Sequence, residues 1–456
     1  MKVCLANDSF PPLIDGVSNA VVNYAATITE KYGEAVVATP RYPNVKDDYS
    51  FDVIRYTSLA TEKLVGYRTG YPFSGEAMSR LEAFAPDIIH SHCPMASTFM
   101  ARELRNITGA PIVFTYHTKF DIDIKRAIKL KFIQEPAIRE VIQNIEACDE
   151  VWVVNRGAGE NLKSLGFSRD YIVMPNGVDI DRSPADSVIL QKLNDTYELD
   201  SRPLFLFVGR VMWYKGLRII LDALRSLKNE GVGFRMVFVG SGDDAEAVKA
   251  YAEEIGVGED CVFTGAVYDR AELKAWYTRA DLFLLPSVFD NNPLVVKEAA
   301  ACSTASVLVR DSSSAEGVVD GVNGILIEEN ADSMARALIP LCREEDRGTI
   351  KRLGEGASRD LYVSWDDSIA RAYARYEEVL REYGKRRIER TPVKHDKMIE
   401  FITSTYYGLA KAKLARDNFL SELEAIREDN EKTQDEIQAK FKEIFANIKD
   451  KFDRYQ

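Results

Sequence analysis

The sequence predicts an α/β protein: two Rossmann-like, doubly wound parallel-sheet domains in tandem, followed by a C-terminal helical extension. Three observations carry this. Short apolar runs alternate with helix-period segments almost from end to end, the pattern of strands covered by helices. Most of those runs are continuous, as in strands buried on both faces. The alternation breaks at a polar stretch near 181–202 and then restarts, which favours two domains over one large unit.

Val3-Cys4-Leu5-Ala6 reads as the first buried strand. A loop through Phe10-Pro11-Pro12 and Asp15-Gly16 leads to a helix from Val17 to about Lys31, with Val17, Val21, Tyr24 and Ile28 on one face. Further strands are expected at Ala35–Ala38, Asp52–Arg55, Asp87–His90, Ile112–Tyr116, Glu150–Val154 and Tyr171–Met174. The second series is Leu204–Val208, Phe234–Val239, Cys261–Phe263, Leu282–Leu285, Ala305–Val309 and Gly324–Ile327. The expected organisation is therefore a first domain over 1–180, a linker region at 181–202 and a second domain over 203–364. A helix follows at 365–384, crossing back, and then a charged amphipathic extension at 385–456. That extension holds 16 Lys+Arg and 14 Asp+Glu, a net of +2 against -14 for the rest. Ile437, Phe441, Ile444, Ile448 and Phe452 form a helical stripe in it, suited to packing on the body or to self-association, and less well, given the mixed charge, to a membrane surface.

The 456 residues carry 59 Lys+Arg against 71 Asp+Glu, a formal net charge of -12. A general nucleic-acid binder would be basic. The six cysteines are scattered without a CxxC pair, which argues against a disulfide framework or structural zinc. The apolar run after Met1-Lys2 ends at Asn7-Asp8, short of the ~7–15 residues of a secretory segment. No stretch reaches the ~18–20 residues of a membrane span. The expected location is cytoplasmic, with room for peripheral contact at the inner face of the cell membrane.

Three places carry chemistry. In Val208-Gly209-Arg210-Val211-Met212-Trp213-Tyr214-Lys215-Gly216, Arg210 follows a buried strand and Lys215 precedes a helix. Ligands of α/β sheets bind at strand carboxyl ends, and a guanidinium fork with an ammonium suits one diphosphate; the plainer alternative is two surface cations. In Pro286-Ser287-Val288-Phe289-Asp290-Asn291-Asn292-Pro293-Leu294-Val295-Val296-Lys297-Glu298, a strand runs into a loop that opens a helix at Pro293. Free amides at such a start can hold an anion. Asp290 and Glu298 suit sugar and ribose hydroxyls, the alternatives being a helix cap and a solvated helix residue. Lastly, His117 ends a first-domain strand and should point to the cleft. His90 reads as a structural histidine, and His92 stays open between the two roles.

Together these residues resemble glycosyltransferase family 4, which has the two-Rossmann GT-B fold. The resemblance covers about residues 1–383. It rests on Asp15-Gly16-Val17, Tyr116-His117-Thr118, Asn176-Gly177-Val178-Asp179, Gly209-Arg210 with Lys215-Gly216, Gly240-Ser241-Gly242, Thr264-Gly265 and the acidic pair Asp290 and Glu298. It implies retaining transfer of a hexose from a nucleotide-sugar, with UDP as the commonest carrier, and no metal or other cofactor. It implies catalytic roles for His117, Arg210, Lys215 and Asp290. Arg210 and Lys215 would hold the diphosphate, Asp290 the donor sugar and Glu298 the ribose. Gly16, Asn292, Leu294 and Val295 would approach the donor, and Val267 would lie near the base. The chain departs from the family in having Asp290 where Glu is usual and Asn291-Asn292-Pro293 behind it. These departures bear on sugar identity more than on activity.

The segment after His117, from Lys119 to Ile133, mixes Lys and Arg with Ile, Leu and Phe. It fits an anionic bilayer surface and resembles the diacylglycerol glucosyltransferase branch of the family. It fits an ordinary amphipathic helix equally. The expected partners are thus a nucleotide-sugar donor and a lipid or glycan acceptor, with no nucleic acid. The competing readings are a soluble or polysaccharide acceptor, a non-catalytic sugar-nucleotide-binding scaffold, and an epimerase. A dehydrogenase is disfavoured because no G-x-G-x-x-G follows the first strand.

Overall fold

The computed structural model describes residues 1–388 apart from Ile14, 61–67, 72–73, 118–119, 122–123, 125–130, 291–292 and 344–346. The stripe at 437–452 and most of the basic segment at 119–133 therefore lie outside the described residues, as does Asn292.

In chain order the first lobe contains β1 (Lys2–Ala6), α1 (Gly16–Lys31), β2 (Glu34–Pro40), β3 (Asp52–Tyr56), β4 (Ser58–Leu59), β5 (Thr69–Gly70), α2 (Gly75–Phe84), β6 (Ile88–Ser91), α3 (Ala96–Thr108), β7 (Ile112–Tyr116), α4 (Lys131–Glu146), β8 (Glu150–Val153), α5 (Arg156–Ser164) and β9 (Ile172–Val173). The second lobe follows with α6 (Ser187–Thr196), β10 (Leu204–Val208), α7 (Leu217–Asn229), β11 (Arg235–Val239), α8 (Ala245–Glu254), β12 (Cys261–Gly265), α9 (Arg270–Arg279), β13 (Leu282–Leu285), α10 (Leu294–Ala301), β14 (Ala305–Val309), β15 (Ile325–Ile327), α11 (Ala331–Leu341) and α12 (Arg347–Asp360). The last helix, α13, spans Trp365–Ile388.

The first sheet has seven parallel strands in the order β3-β2-β1-β6-β7-β8-β9. The second has six, β12-β11-β10-β13-β14-β15, also parallel. Each order reverses once, between β1 and β6 and between β10 and β13. That reversal opens the crevice in which doubly wound sheets bind ligands. Every strand expected from the sequence is present. The additions are the short antiparallel pair β4–β5 and α6, which occupies the middle of the stretch read as a linker. Asp186 caps α6 by accepting from the Val188 amide, and Leu193 anchors it in the second core.

Strand alternation builds the first lobe's two cores. Val3 and Leu5 face one layer with α1; Cys4 and Ala6 face the other. The α1 layer is completed by Trp365, Ile369, Ala372, Tyr376 and Val379 of α13, so the end of the chain returns to cover the first sheet. At ~1.5–3 kcal/mol per large buried side chain, that face is a firm attachment. The two strands of chain that join the lobes run side by side: Val178 donates its amide to the Val363 carbonyl at 3.1 Å. A Cβ on Gly177 would lie 2.4 Å from the Trp365 nitrogen, so glycine is needed where they touch.

In the second lobe the loops after β10, β11 and β13 pack backbone on backbone. A Cβ on Gly240 would sit 1.8 Å from the Gly209 carbonyl oxygen, one on Gly242 2.3 Å from that of Val211, and one on Gly216 2.3 Å from that of Pro286. Gly240 also has a φ of +145°, a region open essentially to glycine. Gly240→Ala should therefore lower unfolding free energy by more than about 3 kcal/mol, adding collision to backbone strain. Gly231→Ala, at φ +74° with nothing within 4 Å, should cost only about 1–2 kcal/mol. Urea unfolding of both variants checks this; equal losses would contradict the close packing.

Candidate active site

The second lobe's crevice is built by the two strand ends at its reversal, β10 and β13. Gly209 follows β10 and donates its amide to the Val239 carbonyl at 3.0 Å, which fixes the start of the loop. Arg210 comes next; it is exposed and makes no hydrogen bond or ion pair among the described residues. A single 3₁₀ turn, Trp213–Lys215, is pinned by the Trp213 amide donating to the Asp244 carboxylate at 2.9 Å. Lys215 then pairs through its Nζ with Oδ1 of Asp290, in the loop after β13. The side chains are only 13% and 18% exposed, so the pair is largely desolvated. The other oxygen of Asp290, Oδ2, is buried and has no partner among the described residues. A buried carboxylate oxygen without a donor is costly; hydroxyl groups of a ligand would satisfy it. Asp290 is not a helix cap, for the N-cap of α10 is Pro293 and no side chain closes that end. Leu294 and Val295, both half-buried, form its first turn.

Glu298 lies one turn further along α10 and is 6% exposed, so it is not a solvated helix residue. Tyr277 donates its hydroxyl to Oε2 at 2.9 Å, and Arg270 donates from Nη1 to Oε1 at 3.2 Å. Burial pushes its carboxyl above the usual carboxylate range, while Tyr277 and Arg270 pull it back. The other terminal nitrogen of Arg270 donates to Asp179 at 2.9 Å. Asp179 follows the first lobe and also accepts from Asn19 and Asn23 of α1, each at 3.3 Å, and from the Trp365 indole at 2.8 Å. These contacts bring the first turns of α1, and so Gly16, towards α10. A Cβ on Gly16 would meet nothing within 4 Å, so no protein atom demands glycine there. The helix is capped by Asp15, which accepts from the Val17 and Ser18 amides.

In the first lobe three histidines gather at strand ends. His90 is structural: it is bonded to the Tyr376 hydroxyl at 2.5 Å and to Thr115 at 2.7 Å. His92 Nδ1 lies 2.9 Å from His117 Nε2, and the Asn176 amide nitrogen lies 3.5 Å from His117 Nδ1. With Asn176 donating, His117 carries its proton on Nε2 and donates to His92; the tautomer follows from the network. His92 Nε2 is then a buried N–H without a partner among the described residues. Burial lowers the His117 pKa to about 3, so this ring is neutral at physiological pH and acts by hydrogen bonding rather than charge.

The lobes meet here. Lys297 of α10, half-buried and with its pKa lowered to about 8 by desolvation, donates to the Asn176 carbonyl at 2.8 Å. Thus His117, through Asn176 and Lys297, is brought opposite the helix that carries Glu298. Lys215 and Asp290 are in direct contact, Arg210 lies in the loop that carries Lys215, and Glu298 forms a separate cluster on α10. Val267, half-buried, follows β12 and packs on the second core. Arg270, Tyr277, Asp179 and Lys297 were not singled out by sequence. Asp179 lies in the quoted Asn-Gly-Val-Asp element and Lys297 beside Glu298, but residue type alone gave them no role. Asp8, buried at the end of β1, was also missed; it accepts from the Tyr56 hydroxyl and the Ser97 amide and so ties the first lobe's strand-end loops together.

Comparison with known proteins agrees with this arrangement. Residues 14–182 match the family described as Glycosyltransferase Family 4, and residues 192–360 match Glycosyl transferases group 1. A D-inositol 3-phosphate glycosyltransferase of Xylanimonas cellulosilytica is 30% identical over 300 residues, 62% of this chain and 70% of the relative. An alpha-monoglucosyldiacylglycerol synthase of Streptococcus pneumoniae is 21% identical over 314 residues, 67% of this chain and 70% of the relative. Among solved structures, a sucrose-phosphate synthase of Thermosynechococcus elongatus superposes with a TM-score of 0.68 at 19% identity, over 84% of this chain and 99% of that one. Anabaena HepE in complex with UDP gives 0.64 at 17% identity, over 82% and 100%. The two facing sheets are those of GT-B glycosyltransferases. The chain belongs to glycosyltransferase family 4 and is a glycosyltransferase.

The buried, neutral His117 has a thermodynamic signature. Its folded pKa is about 3 and its unfolded value about 6.5. Between these values the unfolded chain binds more protons, so stability is full above pH 6.5 and falls as pH drops towards 3. Lowering pH from 6.5 to 5 should cost roughly 1.5 kcal/mol through this ring. Urea unfolding at both pH values, with His117→Gln reducing the loss, checks it.

Proposed function

We propose that the enzyme is a retaining hexosyltransferase that takes its sugar from a UDP-hexose and passes it to a membrane lipid such as a diacylglycerol. The observation that carries the donor reading is the Lys215–Asp290 pair beside Arg210, with the unpartnered Oδ2 of Asp290. An incoming diphosphate offers Lys215 a more highly charged partner than one carboxylate. Asp290 is thereby released to accept hydroxyls of the donor sugar. Arg210, exposed and unpaired, closes on the same phosphates. Both cations then lie where negative charge grows as the bond from the sugar's anomeric carbon to the phosphate oxygen breaks, a preorganised stabilisation of the leaving group. The first amides of α10, at Leu294 and Val295, add donors. Glu298 takes the ribose hydroxyls, and Asn292 and Val267 complete the donor's surroundings on the family pattern. His117 faces the sugar as a neutral ring and gives up its long 3.5 Å contact with Asn176 to bond a sugar hydroxyl. In a single-step route to retention the acceptor hydroxyl attacks from the face the diphosphate leaves, and the departing phosphate oxygen can take its proton. No metal enters this scheme.

UDP is supported by the HepE structures that contain UDP. A lipid acceptor is supported by the basic and apolar composition of 119–133 and by the name of the pneumococcal relative. No helix among the described residues is long and apolar enough to cross a membrane, so contact with lipid would be peripheral, at the inner face of the cell membrane. A second reading is a phosphorylated polyol acceptor, favoured by the name of the Xylanimonas relative.

Three measurements test these readings. UDP at about 100 times its Kd should stabilise the fold by about 2.7 kcal/mol, read as a rise in Tm, and Lys215→Ala should reduce turnover by about 10²–10³-fold. Labelled UDP-glucose offered with diacylglycerol in anionic vesicles and, separately, with inositol phosphate decides the acceptor. Label in the organic phase supports the lipid; label only on the polyol replaces it with the second reading.

A further inference from the structure

Glu298 presents a problem that the proposed donor reading does not solve. To accept two ribose hydroxyls the carboxyl must be ionised, yet it is 6% exposed and burial favours its neutral form. The groups around it are few. Tyr277 and Arg270 face it from α9, Asp179 from the chain leaving the first lobe, and Cys302 from just beyond its own helix. Tyr277 supplies one neutral hydrogen bond, and Asp179 is a like charge that opposes ionisation. Arg270 is therefore the one cation among the described residues that bonds Glu298. Its side chain is 54% exposed, so nothing but its partners holds it in place. The second partner is Asp179, at 2.9 Å. Asp179 is itself fixed from three sides, by Asn19, Asn23 and the Trp365 indole.

We propose that Arg270, clamped at its far end by Asp179, is a positioning residue that keeps Glu298 a charged, oriented acceptor for the ribose of the donor. The clamp explains why a carboxylate is tolerated so near another one. Asp179 holds the guanidinium between the two negative charges, and the fork spans both at once. It also ties nucleotide recognition to the first lobe, because the residues that fix Asp179 belong to α1 and α13. Removing the guanidinium leaves Glu298 buried beside a tyrosine and an uncompensated aspartate. Its proton affinity then rises, and in the protonated form it offers the ribose fewer acceptor sites. Nucleotide affinity should become dependent on pH in a range where the native enzyme is insensitive.

The inference rests on the proposed donor reading, and the test separates the two. UDP affinity is measured by calorimetry from pH 6.5 to 9 for the wild type, Arg270→Gln, Arg270→Lys and Asp179→Asn, with the wild type as the reference for ionisation of UDP itself. Arg270→Gln should lose at least 10-fold in affinity at pH 6.5 relative to the wild type and regain most of it by pH 9. Arg270→Lys should restore part of the loss. Asp179→Asn should weaken binding about 3-fold or more, because the clamp is lost. Circular dichroism and Tm confirm that each variant is folded; should Asp179→Asn fail to fold, the Gln and Lys pair at the exposed position 270 decides alone. An Arg270→Gln enzyme that binds UDP with wild-type affinity at every pH overturns the inference, as does a loss that is the same at every pH. Wild-type protein that binds none of UDP, ADP or GDP overturns instead the donor reading beneath it.

Discussion

A lysine and an aspartate that neutralise each other at the mouth of a sheet crevice set what this enzyme can do. Lys215 and Asp290 come from loops 75 residues apart in sequence, and both are largely removed from water. Such a pair contributes little net stability, because desolvation offsets most of the attraction. Its value lies in being exchangeable. On the proposed donor reading, an entering diphosphate would meet a cation already in place and a carboxylate ready to turn to the sugar. The close backbone packing of Gly216, Gly240 and Gly242 follows from this need. Side chains at those positions would push apart the loops that carry the two charges.

The second constraint is that the two lobes must face each other in a fixed register. The structure meets it with contacts of three kinds. The paired crossings form a short parallel bridge of Val178 with Ser364, held by the Val178 amide donating to the Val363 carbonyl. α13 returns to bury Trp365, Ile369 and Tyr376 in the first lobe. Polar ties then span the crevice: Lys297 to Asn176, Arg270 to Asp179, and the Arg156 and Gly157 amides to Glu316 at 2.8 and 3.1 Å. Apolar contacts hold the last helix to one lobe, while the ties across the gap are hydrogen bonds and ion pairs, which are more easily exchanged with water or ligand. That division suits an enzyme that must admit two substrates and release two products.

Much of the fold was legible in the sequence because strands buried on both faces leave continuous apolar runs, and all thirteen expected strands formed. The β4–β5 pair has two residues per strand, too few for any period to register. α6 was read as linker because the polar runs at 181–186 and 200–203 flank it; Leu193 alone of its residues is buried, and Ile189 and Leu190 are partly so. Of the site, Lys215, Asp290 and Glu298 were visible through motif and position, whereas the bond between Lys215 and Asp290 was not, since nothing local encodes it. Arg270 sits in an unremarkable charged helix start, Asp269-Arg270-Ala271-Glu272. Its meaning comes from Asp179 and Glu298, which lie 91 and 28 residues away in the chain. Residues that act on other residues have no signature of their own in sequence.

Lys215 is proposed to exchange Asp290 for the diphosphate. A double-mutant cycle on UDP affinity tests it most directly, with Lys215→Met, Asp290→Asn and the two combined. The account predicts that Lys215→Met weakens UDP binding by at least 10-fold, that Asp290→Asn binds UDP as tightly as the wild type or more so because its competitor is gone, and that the aspartate substitution has no such effect once the lysine is absent. UDP binding that survives Lys215→Met undiminished, or that is lost on Asp290→Asn alone, would contradict it.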